Sequence, residues 1–390
     1  MKSEPSDTAT AAADRESTPE VEPARELTIE PERDSTLEVE PTREPTAEPT
    51  RESTAEPTAE PTAGSTPDST AAPEREPVAA RRARLAVCVA TYMRPEGLER
   101  LLKALASASL PRSAPSIDVI VVDNDSEGSA RAICDRARSW FPFELHYAIE
   151  KRRGIPQVRN SALALAMPFA DFVVFTDDDV EPAPGWLAEL LRVQALYHAD
   201  VVAGPNPPRF LEPPPAWLVD GRFLSGQQRA TGTLVDTAAT CNALVRSEVL
   251  RQLDGWFDER FALHGSTDAE LFRRIARAGH RMVWAQEAVA YECIPASRMT
   301  LRWLLLRAYR IASGRGSGEL RALEGVAGSW VFSNGLKCIA RGAVHFALAV
   351  ALRRGPVARA QALVKLASGA GWLAGLVGVR YREYARVHGK

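Results

Sequence analysis

From Arg84 onward, short apolar runs alternate with stretches whose apolar residues recur every three or four positions. Residues 85–91, 117–122, 143–148 and 172–175 are near-continuous apolar runs, the pattern of buried strands. Residues 98–107, 129–138 and 158–166 carry helical spacing between them, and 186–197 follows as a further helix before an extended segment at 200–203. This alternation predicts an α/β domain over 84–300, with a mostly parallel sheet and helices on both faces. Regularity lapses between Gly204 and Gly232, where Pro205, Pro207, Pro208, Pro213, Pro214 and Pro215 cluster. A loop of that length in a compact domain is expected to be functional or mobile. Helical spacing returns at 247–253 and 268–278.

Charge divides the 390 residues more sharply than hydropathy does. Residues 1–80 hold 7 Lys+Arg against 20 Asp+Glu, residues 81–299 hold 26 against 27, and residues 300–390 hold 15 against 3. The net of −2 therefore conceals an acidic tail and a basic C-terminal segment, a matter of partners and solubility rather than of fold. The tail repeats a four-residue unit with Glu40, Glu44, Glu48, Glu52, Glu56 and Glu60 in register, most of them followed by proline. Proline at that density excludes helix and little there is apolar, so the tail is expected to be a disordered, partly polyproline-II spacer. It lacks the apolar stretch of a secretory signal. The five cysteines are scattered without a C-x-x-C pair, which indicates neither a zinc site nor a disulfide framework and suits a reducing cytosol.

The chemistry gathers where strands end. Asp177, Asp178 and Asp179 follow directly on the apolar run 172–175, at the edge where open α/β sheets bind ligands. Three adjacent carboxylates repel unless a cation sits among them, and a hard divalent ion holding a phosphorylated substrate meets that need. The bland alternative is a solvated acidic turn. Thr91-Tyr92-Met93-Arg94 and Asp123-Asn124-Asp125-Ser126 close two other strands; they suit nucleotide recognition, although Asp, Asn and Ser also cap helices routinely. Arg152, Arg153 and Arg159 lie before and inside a helix opening, and arginine's planar fork matches diphosphate oxygens. Asp268 and Glu270 stand at a helix start, a favourable place for carboxylates in any case, but a reaction that deprotonates a hydroxyl needs such a group. His264, just before them, reads equally as a loop residue or a functional one.

In this order the segments resemble the family 2 glycosyltransferases. Residues 85–95 are similar to that family's opening strand, Val119 to Asn124 to its second nucleotide-contacting strand, and Val158-Arg159-Asn160 to its helix-opening Arg-Asn. Asp177-Asp178-Asp179 matches the D-x-D metal motif; Cys241 to Arg246 resembles the acceptor-side segment and Trp256-Phe257-Asp258-Glu259 the stretch after it. The resemblance implies a GT-A fold, a nucleotide-diphospho-sugar donor, most often a UDP-sugar, Mg²⁺ or Mn²⁺ as cofactor, and no nucleic-acid partner. Carried over by position, Thr91, Tyr92, Arg94, Asp123, Arg159, Asp177 and Asp178 would bind the donor, with Tyr92 and Asp123 at the base. Asp177 and Asp179 would hold the metal, Asp268 would be the catalytic base of an inverting transfer, and Asn242, Thr267 and Glu270 would lie on the acceptor side. Thr267-Asp268 departs from the family's frequent Glu-Asp, and Trp256 replaces a common glycine. The Gln-x-x-Arg-Trp motif of processive members is absent, which favours single-sugar addition. Residues 287–310 are similar to the subgroup of succinoglycan-type exopolysaccharide assembly, which adds glucose to a lipid-linked oligosaccharide.

Two rivals stand beside this reading, one of the same fold and one of a different class. A sugar nucleotidyltransferase would usually show a glycine-rich loop after the first strand, and an inactive glycan- or membrane-binding scaffold would bind no metal-dependent nucleotide. The C-terminal segment, 301–390, has uncharged stretches too short for a membrane span, which needs roughly 20 apolar residues. It is expected to form two arginine-rich helices that either lie on an anionic leaflet or pack on the catalytic domain. The expected location is the cytoplasm, peripheral to the inner face of the membrane and near a polyprenyl-linked or other glycan acceptor.

Overall fold

The structure is a computed structural model describing residues 82–261, 267–317 and 327–379. The expectations for the acidic tail over 1–80 and for His264 lie outside these residues. The chain runs β1 (Arg84–Thr91), α1 (Pro95–Ala106), β2 (Ser116–Asp123), α2 (Arg131–Ala137), β3 (Glu144–Ile149), α3 (Ile155–Ala166) and β4 (Phe172–Asp177). β1 pairs in parallel with both β2 and β4, and β2 with β3. The chain thus builds outward to β3 and then returns to add β4 on the other side of β1. At such a reversal successive crossovers leave on opposite faces and a crevice opens beyond the strands' C-terminal ends. The register aims the candidate residues there, with Thr91 opposite Asp123 and Ala90 opposite Asp177.

Alternation along β1 explains the two cores. Leu85, Val87 and Val89 face one side with Leu98, Leu101, Leu102 and Leu105 of α1, a helix whose apolar residues fall on one stripe behind Pro95 in its first turn. Ala86 and Cys88 face the other side, against Val158, Ala162 and Leu163 of α3. The chain continues through β5 (Val180–Pro182), α4 (Trp186–Tyr197), β6 (Val201–Ala203), β7 (Pro208–Phe210), α5 (Ala216–Asp220), β8 (Ala243–Arg246), α6 (Ser247–Arg251), α7 (Thr267–Arg277), β9 (Met282–Trp284), β10 (Ala290–Ile294) and α8 (Leu301–Gly316). β8 is antiparallel to both β4 and β6, and β9 is parallel to β6, which completes the order β3-β2-β1-β4-β8-β6-β9. The mostly parallel sheet with helices on both faces is as expected.

The proline-rich stretch corrects one expectation. Residues 204–232 contain β7 and α5, and β7 joins β5 and β10 in a separate three-stranded sheet. Proline hid this strand because it lacks a donor, yet an edge strand tolerates proline wherever the backbone nitrogen faces away from the ladder. The Pro205 and Pro207 carbonyls accept from the Ala290 and Glu292 amides at 3.2 and 3.0 Å. This small sheet also takes the Asp179 carbonyl, which accepts from the Cys293 amide at 2.8 Å.

Beyond α8 lie helices Gly328–Ala351 and Pro356–Leu376, so the described C-terminal segment holds three helices rather than two. They approach closely at glycine. A Cβ on Gly371 would lie 2.3 Å from the Tyr309 carbonyl oxygen, and one on Gly375 2.4 Å from that of Ser313. Among the described residues no helix is long and apolar enough to cross a membrane. All five cysteines are free.

Candidate active site

Each of the three consecutive aspartates meets an arginine at the crevice. Asp177 ends β4 and accepts from Arg159 Nη2 at 3.2 Å. Arg159 Nη1 donates to Thr267 Oγ1 at 3.0 Å, so this buried guanidinium ties the end of β4 to the start of α7. Although 29% of the Asp177 side chain reaches solvent, desolvation raises its pKa. Arg159 opposes that rise, whereas the Asp179 and Asp268 carboxylates add to it. Asp268 therefore lies within electrostatic reach of Asp177. Its own Oδ1 accepts from the Ala269 amide at 2.9 Å, a local contact at the helix start.

Asp178 points the other way and is buried. It accepts from Thr91 Oγ1 at 2.9 Å, from the Tyr92 amide at 3.3 Å and from Arg94 Nη1 at 2.9 Å. Burial pushes its carboxyl up to about 6, against the pull of Arg94. This residue fastens the turn after β1 to the acidic edge. The turn itself requires Met93 at a φ of 50°, a left-handed conformation that brings Arg94 back over the acids.

Asp179 accepts from two arginines, Arg94 Nη1 and Arg298 Nη1, each at 3.0 Å. Burial alone would raise it, but Arg298 and then Arg94 hold it below the usual carboxylate range. No motif marks Arg298; the small sheet delivers it, since it follows β10 in a short 3₁₀ turn, Ala296–Arg298. Glu292 on β10 is a second member of the edge that is not among the expected site residues. Desolvation raises its pKa and Arg307 opposes, with the Asp179 and Asp177 carboxylates also acting on it. Its trace in the sequence is its place in the stretch that resembles the exopolysaccharide subgroup, which assigns it no role. The Cys241 thiol sits among Asp177, Glu292, Asp268 and Asp179; burial first, and then these four charges, push it well above its ordinary value.

On the β2 side, the Arg153 guanidinium lies 3.5 Å from the centroid of the Tyr92 ring. Asn124 holds that loop in place: its amide group donates to the carbonyls of Glu150 and Arg152, both at 2.8 Å, and its oxygen accepts from the Gly154 amide at 2.8 Å. The flat cation-capped ring offers a stacking surface of the kind a nucleobase uses.

Three expected residues are occupied elsewhere. Asp123 is fully buried and accepts from the Asp125 and Ala130 amides and the Tyr147 hydroxyl, at 2.9, 2.8 and 3.1 Å. Asn242 accepts from Trp186 Nε1 and donates to the Pro205 and Ala288 carbonyls. Glu270 accepts from Arg274 Nε at 2.6 Å on its own helix. Thr91, Tyr92, Arg94, Arg159, Asp177, Asp178, Asp179, Thr267 and Asp268 do converge, together with Arg298 and Glu292.

The donor set has a definite chemical character. Among the described residues, no group of three or more His, Cys, Asp and Glu side chains forms a metal cage. Asp177 and Asp179 offer hard oxygens two positions apart, which fits Mg²⁺-type binding through one or two carboxylates completed by substrate phosphates. The cation would share Asp179 with the two arginines that neutralise it here.

The chain resembles known proteins in sequence and in fold. Residues 86–254 match the model of glycosyl transferase family 2. The chain is 34% identical over 234 residues to the succinoglycan biosynthesis protein ExoM of Rhizobium meliloti, an alignment covering 60% of this chain and 74% of that protein. Among solved structures, it is similar to the mannosyltransferase PcManGT from Pyrobaculum calidifontis in complex with GDP-Man and Mn²⁺ (22% identity, TM-score 0.47, 78% of each chain). It is also similar to S. aureus TarS 1-349 in complex with UDP (17% identity, TM-score 0.44, 76% of this chain and 92% of that one). The family match and the extent of the ExoM alignment identify the chain as a member of glycosyltransferase family 2, an enzyme built on a GT-A-like α/β fold.

Proposed function

We propose that this enzyme inverts an anomeric centre in moving one sugar, glucose by subgroup resemblance, from a UDP-sugar to a lipid-linked exopolysaccharide or envelope glycan. The observation that carries the reading is the convergence of Tyr92, Arg159, Asp177, Asp179 and Asp268 on one crevice at the sheet's reversal point. The name of the relative, a succinoglycan biosynthesis protein, supports the exopolysaccharide class. Residues 84–300 would carry the chemistry and 301–390 would hold it to an anionic membrane surface on the cytoplasmic side.

Tyr92, capped by Arg153, receives the base on its face. Arg159 lies beside Asp177 and supplies a fixed positive charge for the departing diphosphate. Asp177 and Asp179 would hold Mg²⁺ or Mn²⁺, whose contribution is Lewis-acid neutralisation of that diphosphate. Asp268 accepts the proton of the attacking acceptor hydroxyl as that oxygen bonds to the anomeric carbon and the nucleoside diphosphate leaves. The test is release of UDP from a panel of UDP-sugars, with lipid extract as acceptor and with or without EDTA. The reading expects turnover with UDP-glucose that EDTA abolishes. Turnover undiminished by EDTA would refute the metal role, and turnover only with a different nucleotide sugar would refute the donor.

A further inference from the structure

Arg298 binds Asp179, and the next three residues, Met299, Thr300 and Leu301, form one wall of a cavity of about 730 Å³. Trp217 of α5, Phe346 and Leu363 extend its apolar lining. Arg353, Arg354 and Arg359 stand on the same cavity, at the turn between helices Gly328–Ala351 and Pro356–Leu376. No ion pair to a described residue neutralises these three exposed guanidinium groups, and residues 327–379 contain six Lys+Arg and no Asp or Glu. Phe332, Leu336, Val344 and Leu348 are exposed on the broad face of helix Gly328–Ala351 away from its buried Val331, Gly335, Gly342 and Ala349. Lys337 and Arg341 are exposed on the same face.

Each of these features selects for one half of a ligand. Apolar walls take hydrocarbon, and three unneutralised guanidinium groups take phosphate oxygens, so an occupant satisfying both is an amphiphile with a phosphate or diphosphate head. One wall of the cavity starts at Met299, the residue after the arginine that touches the acidic edge. We propose that this cavity binds the diphosphate head and the first part of the chain of the lipid-linked acceptor. The assignment rests on the proposed function for its acceptor class. It commits to an isoprenoid diphosphate rather than to bulk phospholipid because the arginines and the apolar side chains line one concavity, which takes a single head and chain rather than a bilayer surface.

The test is calorimetry on the full-length protein saturated with UDP and Mn²⁺, titrated with farnesyl diphosphate, farnesol or inorganic diphosphate. Farnesyl diphosphate should bind at least tenfold more tightly than either half alone. The double variant Arg353→Gln/Arg359→Gln, and separately Leu363→Trp, which fills the cavity without altering charge, should each weaken it at least tenfold while leaving UDP affinity unchanged. Equal binding by wild type and both variants would overturn the assignment. So would displacement of farnesyl diphosphate by phosphatidylglycerol vesicles at matched phosphate concentration, which would mark a general lipid surface. Failure of UDP itself to bind would instead refute the donor reading and leave the cavity's own affinity to be read directly.

Discussion

At the scale of residues, the acidic triplet divides its labour between holding the turn and facing the crevice. Asp178 accepts three hydrogen bonds from the turn after β1, whereas Asp177 and Asp179 face the crevice with one and two arginines respectively. Asp178→Ala should therefore act on stability as well as on activity, because Arg94 and Thr91 lose a buried partner; about 2–4 kcal/mol is expected from chemical denaturation. A loss below about 0.5 kcal/mol would show that the turn does not depend on it. Gly97 in the first turn of α1 admits no side chain, since a Cβ there would lie 2.5 Å from the Asp178 carbonyl oxygen. Gly97→Ala should lower stability by about 1–3 kcal/mol through overpacking against backbone, and an unchanged Tm would contradict that contact. Asp268→Asn should retain UDP affinity and lose transfer, as expected of a group acting only in the transition state; near wild-type kcat would move the role to another carboxylate.

Residues differ in how plainly the sequence announces them. Asp177 to Asp179 and Tyr92 stand at the ends of apolar runs, where burial forces the strand and the polar residue marks its exit. Asp123 stands in the same kind of place, yet its carboxylate turns inward to Ala130 and Tyr147, a choice settled by local turn geometry that strand pattern does not encode. Arg298 and Glu292 reach the edge only because β10 pairs with β5 and β7, a contact between segments more than eighty residues apart in sequence. Nothing local signals such a pairing.

At the scale of elements, α-helices and central strands were readable because each has one apolar period that burial enforces. Helix Trp186–Tyr197 is an example, with Trp186, Leu187, Leu190 and Val193 buried on one side. β7 was not, because its prolines suppress the strand pattern while leaving the carbonyls that β10 uses. Helix Gly328–Ala351 buries Val331, Gly335, Gly342 and Ala349 against its neighbour and exposes Phe332, Leu336, Val344 and Leu348 on its broad opposite face. That arrangement, flanked by Lys337 and Arg341, matches helices that lie in the plane of a membrane interface. Phe332→Asp with Leu348→Asp should lower binding to phosphatidylglycerol vesicles in a sedimentation assay at least fivefold. Because both side chains are exposed, thermal stability should stay within about 3 °C of wild type. Vesicle binding that survives both substitutions would remove this helix from the interface.

At the scale of the whole molecule, a near-neutral catalytic stretch precedes a C-terminal segment carrying 15 Lys+Arg against 3 Asp+Glu. The crevice proposed to hold the donor and the helices that carry Arg353, Arg354 and Arg359 belong to one chain, which suits the proposed meeting of a nucleotide sugar and an anionic acceptor at a surface. Attraction of that kind should weaken as ionic strength rises past about 0.15 M, where the Debye length is about 8 Å. The central claim, however, concerns the crevice: a divalent cation and the Asp177–Asp179 edge bind the donor together. Its most direct test is calorimetric titration of UDP into wild type and Asp179→Ala, each with Mn²⁺ and with EDTA. UDP should bind wild type at least tenfold more tightly with Mn²⁺ than with EDTA, and the variant should lose that difference. Equal affinity in all four titrations would contradict the account.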